Sequence, residues 1–175
     1  IPVGETAKVR TPGDADRLAS LFTSVGAACG LKVRCIATDG SKPVGAGIGP
    51  TEEARDVLAV LQGKRGAPED LRSRAILLAG HLFDLADGLG VKEGMIKAER
   101  LLQNGSAWEQ FKRITKAQGG LKSLGEARFR RPVLSSESGT IVSIDNRRLA
   151  RVAKLAGAPA SSTAGLRLLA TVGDR

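Results

Sequence analysis

Residues 11–38, TPGDADRLASLFTSVGAACGLKVRCIAT, decide the fold class. Thr11-Pro12-Gly13-Asp14 opens a helix: Thr11 or Asp14 can cap it, and Pro12 suits a first turn whose N–H has no partner anyway. Ala15, Leu18, Phe22, Val25 and Cys29 then recur at helical spacing, and Gly30 ends the run as a left-handed cap. Lys32-Val33-Arg34-Cys35-Ile36-Ala37-Thr38 follows, short and β-branched, with Val33, Cys35 and Ala37 on one face, and reads as a strand. A helix delivered onto a strand across a single glycine break predicts an α/β layer and not a bundle.

Downstream, residues 39–50 form a loop dense in Gly and Pro that feeds a helix with Ala54, Val57, Leu58 and Leu61 along one side. Three further helical segments follow. Leu71, Ala75, Leu78, Leu82 and Leu85 make the first stripe, and Val91, Met95, Ala98 and Leu102 the second. The third opens at Ser106-Ala107-Trp108-Glu109, a capping box in which Ser106 and Glu109 satisfy each other's free donors, and its apolar face is Ala107, Phe111 and Ile114.

After Gln118-Gly119-Gly120 the character changes. Residues 121–131 are basic and aperiodic and read as a connector, and Val133 to Ile144 reads as extended, with a turn at Gly139 and a strand from Thr140 to Ile144. Asp145 caps a final helix bearing Leu149, Val152, Ala153 and Ala156, closed by Gly157 and Pro159, and Gly165 to Val172 reads as one more strand. The expected domain boundary lies near residue 125, and no internal repeat is visible.

The chain has 175 residues, 42 % hydrophobic and 26 % charged, which is globular usage. No apolar run approaches the roughly 20 residues of a membrane-spanning helix. Ile1-Pro2-Val3-Gly4 lacks the basic start and apolar middle of a signal peptide, and two cysteines with one histidine leave little for a disulfide framework or a zinc site. The expectation is a cytoplasmic protein with reduced thiols. The start on Ile1 and the stop on Val172-Gly173-Asp174-Arg175, a turn leading onward, further suggest a piece of a longer protein.

Net charge is +9, and residues 121–175 hold 10 basic against 4 acidic side chains, notably Arg128, Arg130, Arg131, Arg147, Arg148 and Arg151. Such an excess can serve phosphate backbones. With no Tyr, four Phe and one Trp, however, stacking of single-stranded bases is disfavoured. A solvated basic surface, or a partner for acidic segments, accounts for the charge equally well.

Few residues suggest chemistry. Gly45-Ala46-Gly47-Ile48-Gly49 before a helix resembles a phosphate cradle. Its third glycine comes one position early for a dinucleotide pattern and no Walker lysine follows, while Glu52 and Glu53 already serve the positive helix end. A tight structural loop is the favoured reading. His81 sits mid-stripe without a triad partner and reads as a packed or half-buried structural residue. Cys29 and Cys35 read as small apolar core residues, and Asp84 and Asp87 as solvent-facing carboxylates. Asp39, just past a strand, is a better polar contact for a ligand, with capping of the glycine turn as its alternative. Lys8 follows a short extended run and a glycine; from there an ammonium can reach a substrate phosphate as a mobile point charge, or simply meet water.

Four runs, in order, carry a resemblance. They are Ile1-Pro2-Val3-Gly4-x-Thr6-Ala7-Lys8-Val9; Thr38-Asp39-Gly40-Ser41-Lys42-Pro43-Val44-Gly45-x-Gly47-Ile48-Gly49-Pro50-x-Glu52-x-Ala54-Arg55-Asp56-Val57-Leu58; Ala117-Gln118-Gly119; and Ile144-Asp145-Asn146-Arg147-Arg148-Leu149-Ala150. Together they resemble the thymidine/pyrimidine-nucleoside phosphorylase family, in its branch of AMP phosphorylases and related thymidine phosphorylases. The first run points to that branch, since ordinary thymidine phosphorylases more often read Val-Lys-Val-Gly-x-Gly-Ala-Phe there.

The resemblance implies reversible phosphorolysis of a nucleoside or nucleoside monophosphate, with inorganic phosphate as co-substrate and no metal or organic cofactor. It implies that residues 1–125 are the second part of a central mixed α/β domain and residues 126–175 the beginning of a small α+β C-terminal domain. It implies that Lys8 contacts the nucleotide. The family's phosphate loop, proton donor and base-binding Ser and Lys would precede Ile1, so the remainder of the same protein is an expected partner, in a homo-oligomer away from membranes. The fragment alone is expected to be inactive. The competing reading is a basic nucleic-acid- or protein-binding module without catalysis.

Overall fold

A computed structural model describes residues 1–175. It is mixed α/β, with six helices and two small two-stranded sheets. The chain divides into two compact units: Ile1–Pro43 with Arg130–Val152 and Leu168–Arg175, and Val44–Phe129 with Ala153–Arg167. No helix is long and apolar enough to cross a membrane.

In the first unit, β1 (Pro2–Val3) pairs in parallel with β2 (Thr38–Asp39), Pro2 opposite Thr38 and Val3 opposite Asp39. Parallel neighbours need a crossover, and α1 (Pro12–Ala28) supplies it. Thr11 caps α1 by accepting the Asp14 N–H at 3.1 Å, and its hydroxyl donates back to the Asp14 carboxylate at 2.8 Å. Gly30, at φ 71°, ends the helix: its N–H reaches the Ala27 carbonyl and that of Leu31 the Gly26 carbonyl, the paired bonds of a left-handed cap.

The predicted strand over 32–38 shortens to Thr38–Asp39, because β1 is the only segment that pairs with it and is two residues long. Residues 31–37 instead lie against α1, where a Cβ on Gly26 would sit 2.2 Å from Val33 Cγ2 and the Cys35 thiol faces the Ala19 carbonyl. The packed face of α1 is therefore small, Ala15 and Gly26, while Phe22, Val25 and Cys29 of the expected stripe are exposed. The strand expected at Thr140–Ile144 is absent; Ile141 alone exchanges backbone bonds with Gly173 and Asp174, and Val133, Leu134 and Val142 stand exposed.

In the second unit, β3 (Gly47–Ile48), inside what the sequence reads as loop, pairs antiparallel with β4 (Leu166–Arg167), to which the strand predicted over 165–172 shortens. α2 (Pro50–Leu61), α3 (Glu69–Asp87), α4 (Val91–Gln103) and α5 (Ser106–Ala117) follow. α3 packs on α4 where Gly80 meets Gly94 and Met95, with Ile76 and Ala98 buried on the two helices, so the predicted α3 stripe is corrected: Ala75, Leu78 and Leu82 are exposed. The predicted α5 capping box does not form. Gly105 is the N-cap, the Asn104 side chain takes the Ser106 N–H at 3.0 Å, and Glu109 pairs with Lys112. α6 (Asn146–Leu155) starts in the first unit, and Asp145 caps it by accepting the N–H groups of Arg147 and Arg148.

Candidate functional site

Ligands of parallel α/β layers collect beyond the carboxyl ends of the strands. At that edge of β1, the chain turns back within a few residues: Ala7 N–H donates to the Gly4 carbonyl at 2.9 Å and Gly4 N–H to the Val9 carbonyl at 3.1 Å. Lys8 lies on this turn, exposed and in no ion pair. At the same edge of β2 lie Asp39 and Gly40. The two turns touch so closely that a Cβ on Gly4 would sit 2.5 Å from the Gly40 carbonyl carbon, and one on Gly40 2.9 Å from the Val3 nitrogen.

The start of α6 joins them. The Asn146 backbone N–H donates to Thr6 Oγ1 at 3.2 Å, its side-chain Nδ2 donates to the Gly40 carbonyl at 2.9 Å, and the Arg147 guanidinium donates to the Ala7 carbonyl at 3.1 Å. Asn146 Oδ1 is buried with no donor facing it. Three of the sequence runs quoted above thus meet at one strand edge. What the arrangement offers chemically is an accessible ammonium on a tethered turn, suited to an anionic group.

Of the residues singled out from sequence, Lys8 and Asp39 come to this edge. Asp39 Oδ1 accepts the Ser41 N–H at 2.8 Å, the turn-capping role foreseen as its alternative. Thr6, Asn146 and Arg147 escaped as site residues because each is an ordinary polar side chain in a loop or at a helix start. Their only signal was membership of the quoted runs.

The glycine-rich loop belongs to the second unit, and its amides are already occupied. Asp56, 2 % exposed, accepts N–H groups of Ala46 and Gly47, both at 2.7 Å, and a bond from Arg167 at 2.9 Å. Asp70 takes the Gly45 N–H, Glu53 that of Gly49, and the Ser162 carbonyl that of Thr51. With carboxylates on these donors the loop is a structural turn, not an anion cradle. Burial lowers the Arg167 pKa, but bonds and charge from Asp56 and Glu52 outweigh that and leave it above its ordinary value. Arg72, bonded to Glu99 and Glu69, is also raised.

The other candidates have structural roles. His81 is half-buried on α3 with Nδ1 unpartnered, Asp84 takes the Gly90 N–H, and Asp87 pairs with Lys97 at 3.1 Å. Of the two cysteines expected in the core, Cys35 is half-buried and Cys29, at the C-cap of α1, is exposed.

No family model matches the chain. Curated relatives do. A protein of Cupriavidus necator named putative thymidine phosphorylase 1 is 51 % identical over 174 residues, 99 % of this chain and 34 % of that protein. The proteins named putative thymidine phosphorylase from Tolumonas auensis and from Legionella pneumophila strain Paris are 48 % and 50 % identical over the same share of each chain. The chain spans about a third of the length of the curated relatives it matches.

Proposed function

Because this chain belongs to the thymidine/pyrimidine-nucleoside phosphorylase family, we propose that it forms part of a pentosyltransferase that reversibly phosphorolyses a nucleoside or nucleoside monophosphate, thymidine or AMP. An oxygen of inorganic phosphate bonds to the anomeric carbon and the N-glycosidic bond breaks. The bonding pair leaves with the base, which takes up a proton. The products are the free base and a (deoxy)ribose 1-phosphate, or ribose 1,5-bisphosphate from AMP. In this reading residues 1–125 continue the central α/β domain and residues 126–175 begin the C-terminal one.

Lys8 is the substrate-binding residue of this chain. Its ammonium would meet the 5′-phosphate of a nucleotide, and the groups that hold inorganic phosphate and protonate the base would come from elsewhere in the protein. The observation that supports the reading is the convergence of the Lys8, Gly40 and Asn146 segments at the carboxyl edge of β1 and β2, with the Lys8 amine accessible.

The test is a chimera in which this chain replaces the matching segment of the Cupriavidus necator relative, assayed with phosphate and either AMP or thymidine. A lost charge-assisted contact costs about 1.5–3 kcal/mol, so Lys8→Ala should raise KM for AMP by roughly 10- to 100-fold. Thymidine carries no phosphate and should be little affected. An unchanged KM for AMP in Lys8→Ala would refute the role of Lys8. The 175-residue chain alone should release no base from either substrate, and chromatographic detection of adenine or thymine would contradict that.

A further inference from the structure

The turn bearing Lys8 has only two internal backbone bonds, Ala7 to Gly4 and Gly4 to Val9. Its remaining polar ties come from residues 140 positions away, at the start of α6. We propose that Thr6, Asn146 and Arg147 are positioning residues that hold Lys8 at the substrate edge, an inference that rests on the functional reading of Lys8 above.

The geometry divides the work. Arg147 donates to the carbonyl of Ala7, the oxygen of the very peptide that leads into Lys8, so this bond restrains the plane from which the lysine side chain departs. Thr6 Oγ1 accepts the Asn146 N–H two residues earlier. Asn146 Nδ2 then fixes the same helix start to Gly40, at the edge of the neighbouring strand. The helix start itself is set by Asp145, which takes the next two amides. One rigid helix turn therefore registers the Lys8 turn against the β2 edge. A lysine is a flexible point charge, and holding its backbone in place lowers the ordering cost of binding.

Asn146 is suited to this by its donor. Its Oδ1 is buried and unpartnered, so the amide does its work through Nδ2 alone. An aspartate of the same shape would turn an oxygen onto the Gly40 carbonyl and lose the bond.

Thr6→Val removes the acceptor at constant shape, and Thr6→Ser restores it; Asn146→Asp is the second, independent lesion. In the 175-residue chain, hydrogen exchange of the Gly4 and Ala7 amides should quicken about tenfold in Thr6→Val and Asn146→Asp, the effect of one lost hydrogen bond. Thr6→Ser should match the parent, and the Gly94 amide in α4 should not change. Unchanged exchange at Gly4 and Ala7, or equal acceleration at Gly94, would overturn the clamp. In the chimera, Thr6→Val should raise KM for AMP and leave kcat nearly intact, and adding it to Lys8→Ala should cost nothing more. Additive losses would overturn positioning through Lys8. A chimera with no phosphorolysis at all would overturn the functional reading, while the exchange result alone would still decide the clamp.

Discussion

Asp56 is the residue on which the second unit turns, and it is a carboxylate with almost no water contact. Its oxygens take the amides of Ala46 and Gly47 and the guanidinium of Arg167, tying the glycine loop, α2 and β4 together. Against the lowering by burial, hydrogen bonds and charge from Asp56 and Glu52 hold Arg167 above its ordinary pKa, so its charge stays beside the carboxylate. Asp56→Ala leaves two inward amides without an acceptor, and each orphaned donor costs about 1–3 kcal/mol. Since Arg167 is half-exposed and can turn to water, the total loss should be about 3 kcal/mol rather than their full sum with a broken ion pair. Urea denaturation of the variant measures it, and a change under 1 kcal/mol would contradict the tie. From sequence, a carboxylate on a helix reads as solvent-facing, and Val57 beside it reads as buried; the structure reverses them. What sets the register of α2 is the demand of three loop amides, those of Ala46, Gly47 and Gly49, for acceptors on Asp56 and Glu53, a tertiary demand that no periodicity expresses. The same limit hid Asn146 and Arg147, whereas Lys8 and Asp39 were visible because a strand end is recognisable locally.

At the level of elements, the helices were legible in place and extent, whereas of the three predicted strands two shorten to two residues and one does not form. Caps and glycine stops act within a few residues, so Thr11, Gly30 and Asp145 marked α1 and α6 correctly. A strand exists only if a partner pairs with it, and each ladder here is two residues long. The α3–α4 pair shows why apolar stripes also mislead. The helices meet where they carry glycine: a Cβ on Gly94 would lie 2.4 Å from the Gly80 carbonyl oxygen, and one on Gly80 2.9 Å from the Met95 nitrogen. Alanine is favoured over glycine inside a helix by about 1 kcal/mol. Here the obstacle is backbone, which cannot rotate aside, and overpacking costs about 1–3 kcal/mol, to which the loosened packing between the parted helices adds. Gly94→Ala should therefore destabilise by about 2 kcal/mol net, seen as a lower urea midpoint. A stabilised variant would mean that α3 and α4 do not approach so closely.

Across the whole molecule, the apolar residues that are buried are small or few: Ala15, Val60, Ile76, Ala98 and Ala153. Larger side chains stand outside, among them Leu78 and Leu82 on α3, 45 % and 65 % exposed, one turn apart on the same face. That inversion decides how the chain behaves alone. Stability scales with apolar area removed from water, at about 25 cal/mol per Å², so cores built around alanine contribute little. Exposed leucines at helical spacing lose nothing by meeting a second apolar surface, and contiguous patches of this kind promote association. The 175-residue chain should accordingly self-associate in a concentration-dependent way. Replacing Leu78 and Leu82 together by lysine should raise the monomer fraction in sedimentation velocity while moving the unfolding free energy by no more than about 0.5 kcal/mol per site, as for other exposed positions. The two readouts discriminate. Were those leucines part of the fold's interior, burying two ammonium groups would collapse the urea midpoint; were they at the surface but unimportant, the sedimentation profile would not change. Only the combination of an intact midpoint and a shifted profile agrees with α3 lying open along that face.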